Sequence, residues 1–183
     1  MGATMIYILD RDPSNASKFL SDTELIGCIP MIASFICGAF ILCDGLPTAK
    51  NKLGKNLLEV QNPMSVWSEW AARDRRALQW SIDLLSHTTS TYQLRFDRLH
   101  HNASLAVWLS KFPEARPVNI RTGDGDPPAP PQKVPAHFRH SSAIEAYRRF
   151  FFANVKEPKW SHPDVEPQWF TDMFGQLIRS NHG

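Results

Sequence analysis

The sequence predicts a mainly α-helical single domain. It has one short β-strand at the N-terminus and a proline-rich loop ahead of two C-terminal helices. Three observations carry this reading. Helix-start signals stand at Asp12-Pro13, Asn62-Pro63 and Ser142-Ala-Ile-Glu145. Apolar residues recur at helical spacing along 67–85 and 169–178. Only Met5–Leu9 is a short β-type run. A chain of 183 residues is one domain and can bury a proper core. Within it, 5–112 reads as a helical core, 113–136 as the proline-rich loop and 137–183 as C-terminal helices packing on that core.

The strand Met5-Ile-Tyr-Ile-Leu9 ends at Asp10-Arg-Asp12-Pro13. Asp12 as N-cap and Pro13 at the first helical position start a helix that runs to about Ile26. Gly27 and Pro30 interrupt it, and a second helix covers Pro30 to Cys43. Between Glu24 and Asp44 lie nineteen residues without a charged side chain, long enough to cross a bilayer. Pro30, Gly38, the acids at both edges and the lack of an aromatic belt or flanking basic cluster favour a buried helix pair over a span. The stretch from Asp44 to Gln61, with Lys50, Lys52 and Lys55, reads as a loop. A long helix follows from Met64 to about Ser86, its apolar line being Trp67, Trp70, Ala71, Leu78, Ile82 and Leu85. Further helical pieces cover Tyr92–Leu99 and Leu105–Leu109. Pro113 to Pro135 holds seven prolines and an acidic Gly-Asp-Gly-Asp turn, which makes it a long extended loop. The capping box at Ser142 opens the next helix. Trp169, Phe170, Met173, Phe174, Leu177 and Ile178 form the stripe of the last.

Composition narrows the function classes. A net charge of +2 is too weak to predict nucleic-acid binding by itself. Six Trp and eleven Phe fit a packed core better than a set of base-stacking platforms. Cys28, Cys37 and Cys43, clustered in one apolar run with no Cys-x-x-Cys, read as buried thiols in a reducing cytoplasm. The N-terminus meets acids at once and has no basic leader, so the chain reads as cytoplasmic, without a membrane partner.

No phosphate-cradling glycine loop, zinc-protease helix or nucleophile elbow is present, and no cofactor is implied. His137-x-x-His140 offers two imidazoles but no third ligand, so no metal site is assigned. Arg73, Asp74, Arg75 and Arg76 form either a solvated face or a phosphate-binding surface. Asp22 and Glu24 are the candidate acid/base pair, should the chain be an enzyme. The simpler reading has Asp12 capping a helix and Asp22 and Glu24 facing water.

The order of these features resembles a family of small, largely uncharacterised phage-encoded proteins. Their N-terminus reads "NIFVLD", then "DP", then a helix with "HCDKHVVKM". The matching stretch here is IYILDRDPSNASKFLSDTELIGCI, in which Asp10, Asp12, Pro13, Ala16 and Asp22 fit. The family's "HPC..W" is matched by Asn62-Pro-Met-Ser-Val-Trp67, and its "Y..RYGKVH" by the stretch from Tyr92 to His100. Its "AYR.YY" and closing "W….P.WF" are matched by Ala146-Tyr147-Arg148-Arg-Phe-Phe151, Trp160 and Pro167-Gln-Trp169-Phe170. The family's His, Cys, Lys and His around its aspartate are replaced here by Leu20, Ser21, Thr23 and Glu24. Its next lysine is Gly27, and its histidine before proline is Asn62. The retained polar set is Asp10, Asp22, Arg95, Arg98, His100, Tyr147 and Arg148. The family pattern in turn is loosely similar to helical pyrimidine-dimer DNA glycosylases, a fold-level analogy.

The resemblance implies a phage accessory protein that acts by binding, with a degenerate ancestral site. Its partner would be a host protein, such as a defence component, or a nucleotide or nucleic acid. The proline-rich loop and the aromatic C-terminus are the candidate surfaces, in the cytoplasm of the host cell. The alternative is an enzyme of DNA repair or base modification. In it Asp22 and Glu24 are acid/base groups, and Asp10, Arg95, Arg98, His100, Tyr147 and Arg148 bind the ligand. A third reading is an oligomerising subunit packed through its aromatic tail. The enzyme reading requires Asp10, Asp22, Arg95, His100 and Arg148 to line one cavity.

Overall fold

The computed structural model describes residues 5–57, 64–118, 120–161 and 166–180. The fold is mainly helical, and among the described residues there is no β-strand. Met5–Leu9 therefore lacks a ladder partner, and the expected N-terminal strand is not formed. The run is instead a buried wedge, with Ile6, Ile8 and Leu9 no more than 2% exposed. Its carbonyls find side-chain donors: the Cys28 thiol on Met5 O and the Arg148 guanidinium on Leu9 O.

Helix α1 (Pro13–Phe19) starts as expected, with the Asp12 carboxylate accepting from Asn15 N at 2.9 Å. It ends earlier than expected. Leu20 and Ser21 are extended, and α2 (Asp22–Asp44) then runs unbroken. The expected break at Gly27 and Pro30 does not occur. Pro30 removes one helical N–H, but it lies on the solvent side of α2, as does Ile26, whose carbonyl loses that donor. Water can serve that carbonyl, so the helix tolerates the proline. The opposite side of α2, from Leu25 through Ile29, Ile32 and Ile36 to Phe40, is fully buried. By length and composition α2 could cross a membrane; its most apolar window has mean hydropathy 2.4 and is 61% buried inside the protein.

Gly45, at φ +76°, closes α2 by giving its N–H to Ile41 O. The lysine-rich stretch is not the predicted loop. It forms α3 (Leu46–Leu53) and a single 3₁₀ turn at Gly54–Asn56. Lys50 and Lys52 sit in the last turn of α3, where cations suit the helix dipole, and Lys52 pairs with Asp44 at 2.9 Å. The cap expected at Asn62-Pro63 lies outside the described residues.

The single helix expected over Met64–Ser86 is two. Ser65 caps α4 (Val66–Arg73), and Asp74 caps α5 (Arg75–Phe96). Asp74 breaks the run because its carboxylate takes Arg76 N at 2.8 Å, while Arg75 N turns to Arg121 O. Helix α5 then passes beyond Ser86 to Phe96, ending on Asp97 in the left-handed region at φ +51°. Helix α6 (Ala103–Lys111) packs on α5. Short 3₁₀ turns at Pro113–Ala115 and Ala136–Phe138 bracket the proline-rich passage. Helix α7 (Ala143–Asn154) is capped by Ser142 Oγ, which accepts from Glu145 N, and α8 (Gln168–Ser180) follows.

Helix α2 is the centre, flanked by α3, α4 and α5, with α1 and α6 on the outer sides of α5. Tyr147 and Phe151 of α7, both fully buried, close the core against Trp67 and Tyr7. The N-terminal wedge thus lies between α2 and α7, and one core joins both ends of the chain.

Candidate functional site

Asp22 and Glu24 stand at the first turn of α2. Asp22 accepts from Arg95 Nη1 at 3.0 Å and from the Ser161 N–H and hydroxyl. Glu24 accepts from the Ser21 hydroxyl. The Arg95 side chain is 1% exposed, and it also donates to Leu20 O and Lys18 O, both at 2.8 Å. One guanidinium thus satisfies the C-terminal carbonyls of α1 and pairs with the first residue of α2. Burial pulls its pKa down, and Asp22 opposes that pull. The Asp22 carboxylate is filled by donors rather than aimed at open space, which is the geometry of a structural tie and not of a general base.

Asp10 and Arg148 make a second tie. Arg148 Nη2 lies 3.1 Å from Asp10 Oδ2, its Nε donates to Leu9 O, and its guanidinium covers the Trp169 ring at 5.3 Å. Tyr147, the preceding residue, donates its hydroxyl to Pro131 O at 2.7 Å and accepts from Lys133 N at 3.0 Å. Burial raises the Tyr147 pKa.

Arg98 and His100 form a third, separate group beyond the end of α5. Arg98 lies 5.5 Å over the Tyr92 ring, and His100 meets the same ring edge-on at 5.1 Å. His100 is buried, and its Nδ1 accepts from Asn102 N. Burial lowers its pKa, with His101 and Arg98 adding to the effect. Arg76 of the charged patch is likewise occupied, forking onto Asp74 and reaching Asp124 O and Gly125 O. A side chain at Gly123 would press into this fork, since its Cβ would stand 2.5 Å from Arg76 Nη2.

A half-open cleft lies elsewhere. It has a volume of about 480 Å³, within the range of ligand sites. Its walls are Ile8, Asp10 and Arg11, Trp70 of α4, Trp80 of α5, the Asp126–Pro130 segment and the start of α7. Both indole N–H groups are anchored, Trp80 Nε1 on Arg11 O at 2.7 Å and Trp70 Nε1 on Pro128 O at 3.1 Å. Their rings meet edge to face, 5.9 Å apart. Asp10 alone of the predicted site residues lines this cleft; Asp22, Glu24, Arg95, Arg98, His100, Tyr147 and Arg148 do not. The shared cavity that the enzyme reading requires is therefore not formed. Arg11, Trp80 and Ser141–Ile144 are lining residues that sequence reasoning missed. One signal was available: Trp80 falls off the apolar line of α5, and a large aromatic on the outer side of a helix suggests use at a surface.

Among the described residues no three of His, Cys, Asp and Glu gather as a metal site. His140 of the His137-x-x-His140 pair uses Nδ1 to accept from Ser142 N. Compared with protein-family models, with curated proteins and with solved structures, the chain matches none.

Proposed function

We propose that this protein acts by binding, as an accessory protein of the phage type that its sequence resembles, with a host protein as the partner in the host cytoplasm. The observation that carries the reading is that, of the predicted site residues, all but Asp10 lie away from the cleft. Asp22, Arg95, Asp10 and Arg148 are engaged across elements by carbonyls, hydroxyls and each other. The cleft sets two tryptophans, prolines and aliphatic groups beside a few polar ones, Asp10, Arg11, Asp126 and two serines. Aromatic, apolar concavities with a few polar groups are binding sites. Of the two partner classes, a protein suits the cleft better than a nucleotide. Among the described residues Arg11 is the one cation in its walls, and it shares them with Asp10 and Asp126. A phosphate would meet two carboxylates there.

Photo-crosslinking tests the reading. A benzophenone amino acid replaces Ile144 in the cleft wall, and the protein is irradiated in bacterial host extract with and without nuclease. A discrete protein adduct that survives nuclease and is lost in Trp80→Ala is expected. Overturning results are an absence of any adduct, or turnover of a nucleotide substrate that Asp22→Ala abolishes.

A further inference from the structure

The proline-rich passage is held in an instructive way. Asp126-Pro-Pro-Ala-Pro-Pro131 has proline at four positions, which fixes φ, and every remaining position precedes a proline, which favours extended ψ. Among the described residues, no backbone–backbone hydrogen bond forms within 122–134. Such a sequence favours polyproline II, which has three residues per turn and leaves its carbonyls unpaired. Two of those carbonyls are caught by aromatic side chains: Pro128 O by Trp70 Nε1 and Pro131 O by the Tyr147 hydroxyl. The two prolines are three residues apart, one turn of that helix, so the donors read one edge of it. Trp67 lies between the donors, its ring centroid 6.1 Å from Trp70 and 6.2 Å from Tyr147.

Aromatic grooves with such donors are how proline-rich peptides are recognised between proteins. We propose that the Trp70–Tyr147 face is a docking site for polyproline segments, occupied in cis by Asp126–Pro131. Its ligand in trans is a proline-rich extended segment of the partner protein, which displaces the resident one. This deepens the binding reading given above and rests on it. The resident segment suits exchange. Pro127 and Ala129 are exposed, and the segment borders the Trp70–Trp80 cleft, which gives an incoming chain a place to start. A tethered ligand has an effective concentration near the millimolar range, so it masks the site from weak competitors and yields to a partner with further contacts.

The probe is a fluorescein-labelled peptide with the sequence of residues 123–132, followed by anisotropy. The variant replaces Pro127, Pro128, Pro130 and Pro131 with serine at unchanged loop length. This variant is expected to bind the peptide at least about tenfold more tightly than the parent chain, because the cis competitor is weakened. Trp70→Phe added to the variant removes the gain, and a peptide with alanine for its four prolines does not bind. Equal affinity of parent and variant, or of the two peptides, overturns the proposal. If the serine variant does not fold, the parent chain supplies the test. Millimolar peptide should speed trypsin cleavage at the exposed Arg121 and Lys133 that flank the segment; no acceleration overturns the proposal. Should it fail while the Ile144 adduct persists, only the ligand class is wrong; should the adduct fail too, the binding reading falls with it.

Discussion

Arg95 has three partners, and two of them are main-chain carbonyls at the C-terminal end of α1. That arrangement explains why a charged residue is buried without a catalytic task. It also explains why the residue was legible in the sequence and its role was not. Asp22 lies 73 positions from Arg95, and Asp10 lies 138 from Arg148. Side-chain identity shows at those positions, but carbonyl acceptors belong to every residue and leave no mark. Seen in the sequence alone, Arg95, Arg98, Arg148 and His100 look like a phosphate site. In three dimensions they divide into two separate ties and a pair, Arg98 and His100, packed against Tyr92. The tie makes a quantitative prediction. Arg95→Ala should cost about 2–4 kcal/mol in urea unfolding, since it orphans the carbonyls of Lys18 and Leu20 and a partly buried carboxylate. Arg95→Lys should recover less than half, because one ammonium cannot fork onto three acceptors. A loss below about 1 kcal/mol for the alanine variant would mean that the end of α1 is held by something else.

At the scale of elements, the sequence shows where apolar faces lie better than where helices stop. The apolar stripe of α5 and the cap at Asp12 are local patterns and formed as read; of the box at Ser142 only the serine half formed, since Ser142 N donates to His140 Nδ1 and the Glu145 carboxylate pairs with Arg149. The boundaries that moved were decided by long-range partners. Arg95 holds the end of α1, Arg121 O takes Arg75 N at the α4–α5 break, and Pro30 and Ile26 face solvent, where a lost helical hydrogen bond is tolerated. The predicted strand failed for the same reason, since a strand needs a second strand and local pattern does not supply one. Pro30 offers a test of this account. It is exposed and costs α2 one hydrogen bond, so Pro30→Ala should stabilise the protein by about 1–3 kcal/mol. The check is the urea midpoint with an unchanged slope. A destabilised alanine variant would show that the proline-induced shape of α2 is required by its neighbours.

The whole molecule is held by seams between its two chain ends and its centre, and one seam is chemically marked. Tyr7 joins the N-terminal wedge to α7, with its ring 5.2 Å from Phe151 and 6.1 Å from Phe150. Cys28 of α2 donates to Met5 O in the same seam. Burial, with Glu24 and Cys28 adding negative charge, pushes the Tyr7 pKa up to about 12. Burial likewise pushes the Cys28 thiol up to about 12. Both folded values lie above the unfolded ones, near 10 and 9. The folded state therefore keeps protons that the unfolded chain loses. The stability these groups contribute is complete below about pH 9 and drains away as pH climbs to about 12. Tyr147, raised by burial as well, adds to the same alkaline limb. Unfolding midpoints in urea should accordingly fall across that window, with all spectroscopic probes moving together because the seam joins both ends to one core. Tyr7→Phe should leave the midpoint at pH 7 within about 1 kcal/mol and flatten the alkaline fall, since the phenyl ring keeps the packing and removes the titrating hydroxyl. Adding Cys28→Ala should flatten it further, with a residual slope from Tyr147 and from Cys43, whose thiol burial pushes up to about 11. An alkaline limb as steep in the double variant as in the parent would place the pH-sensitive seam elsewhere in the fold.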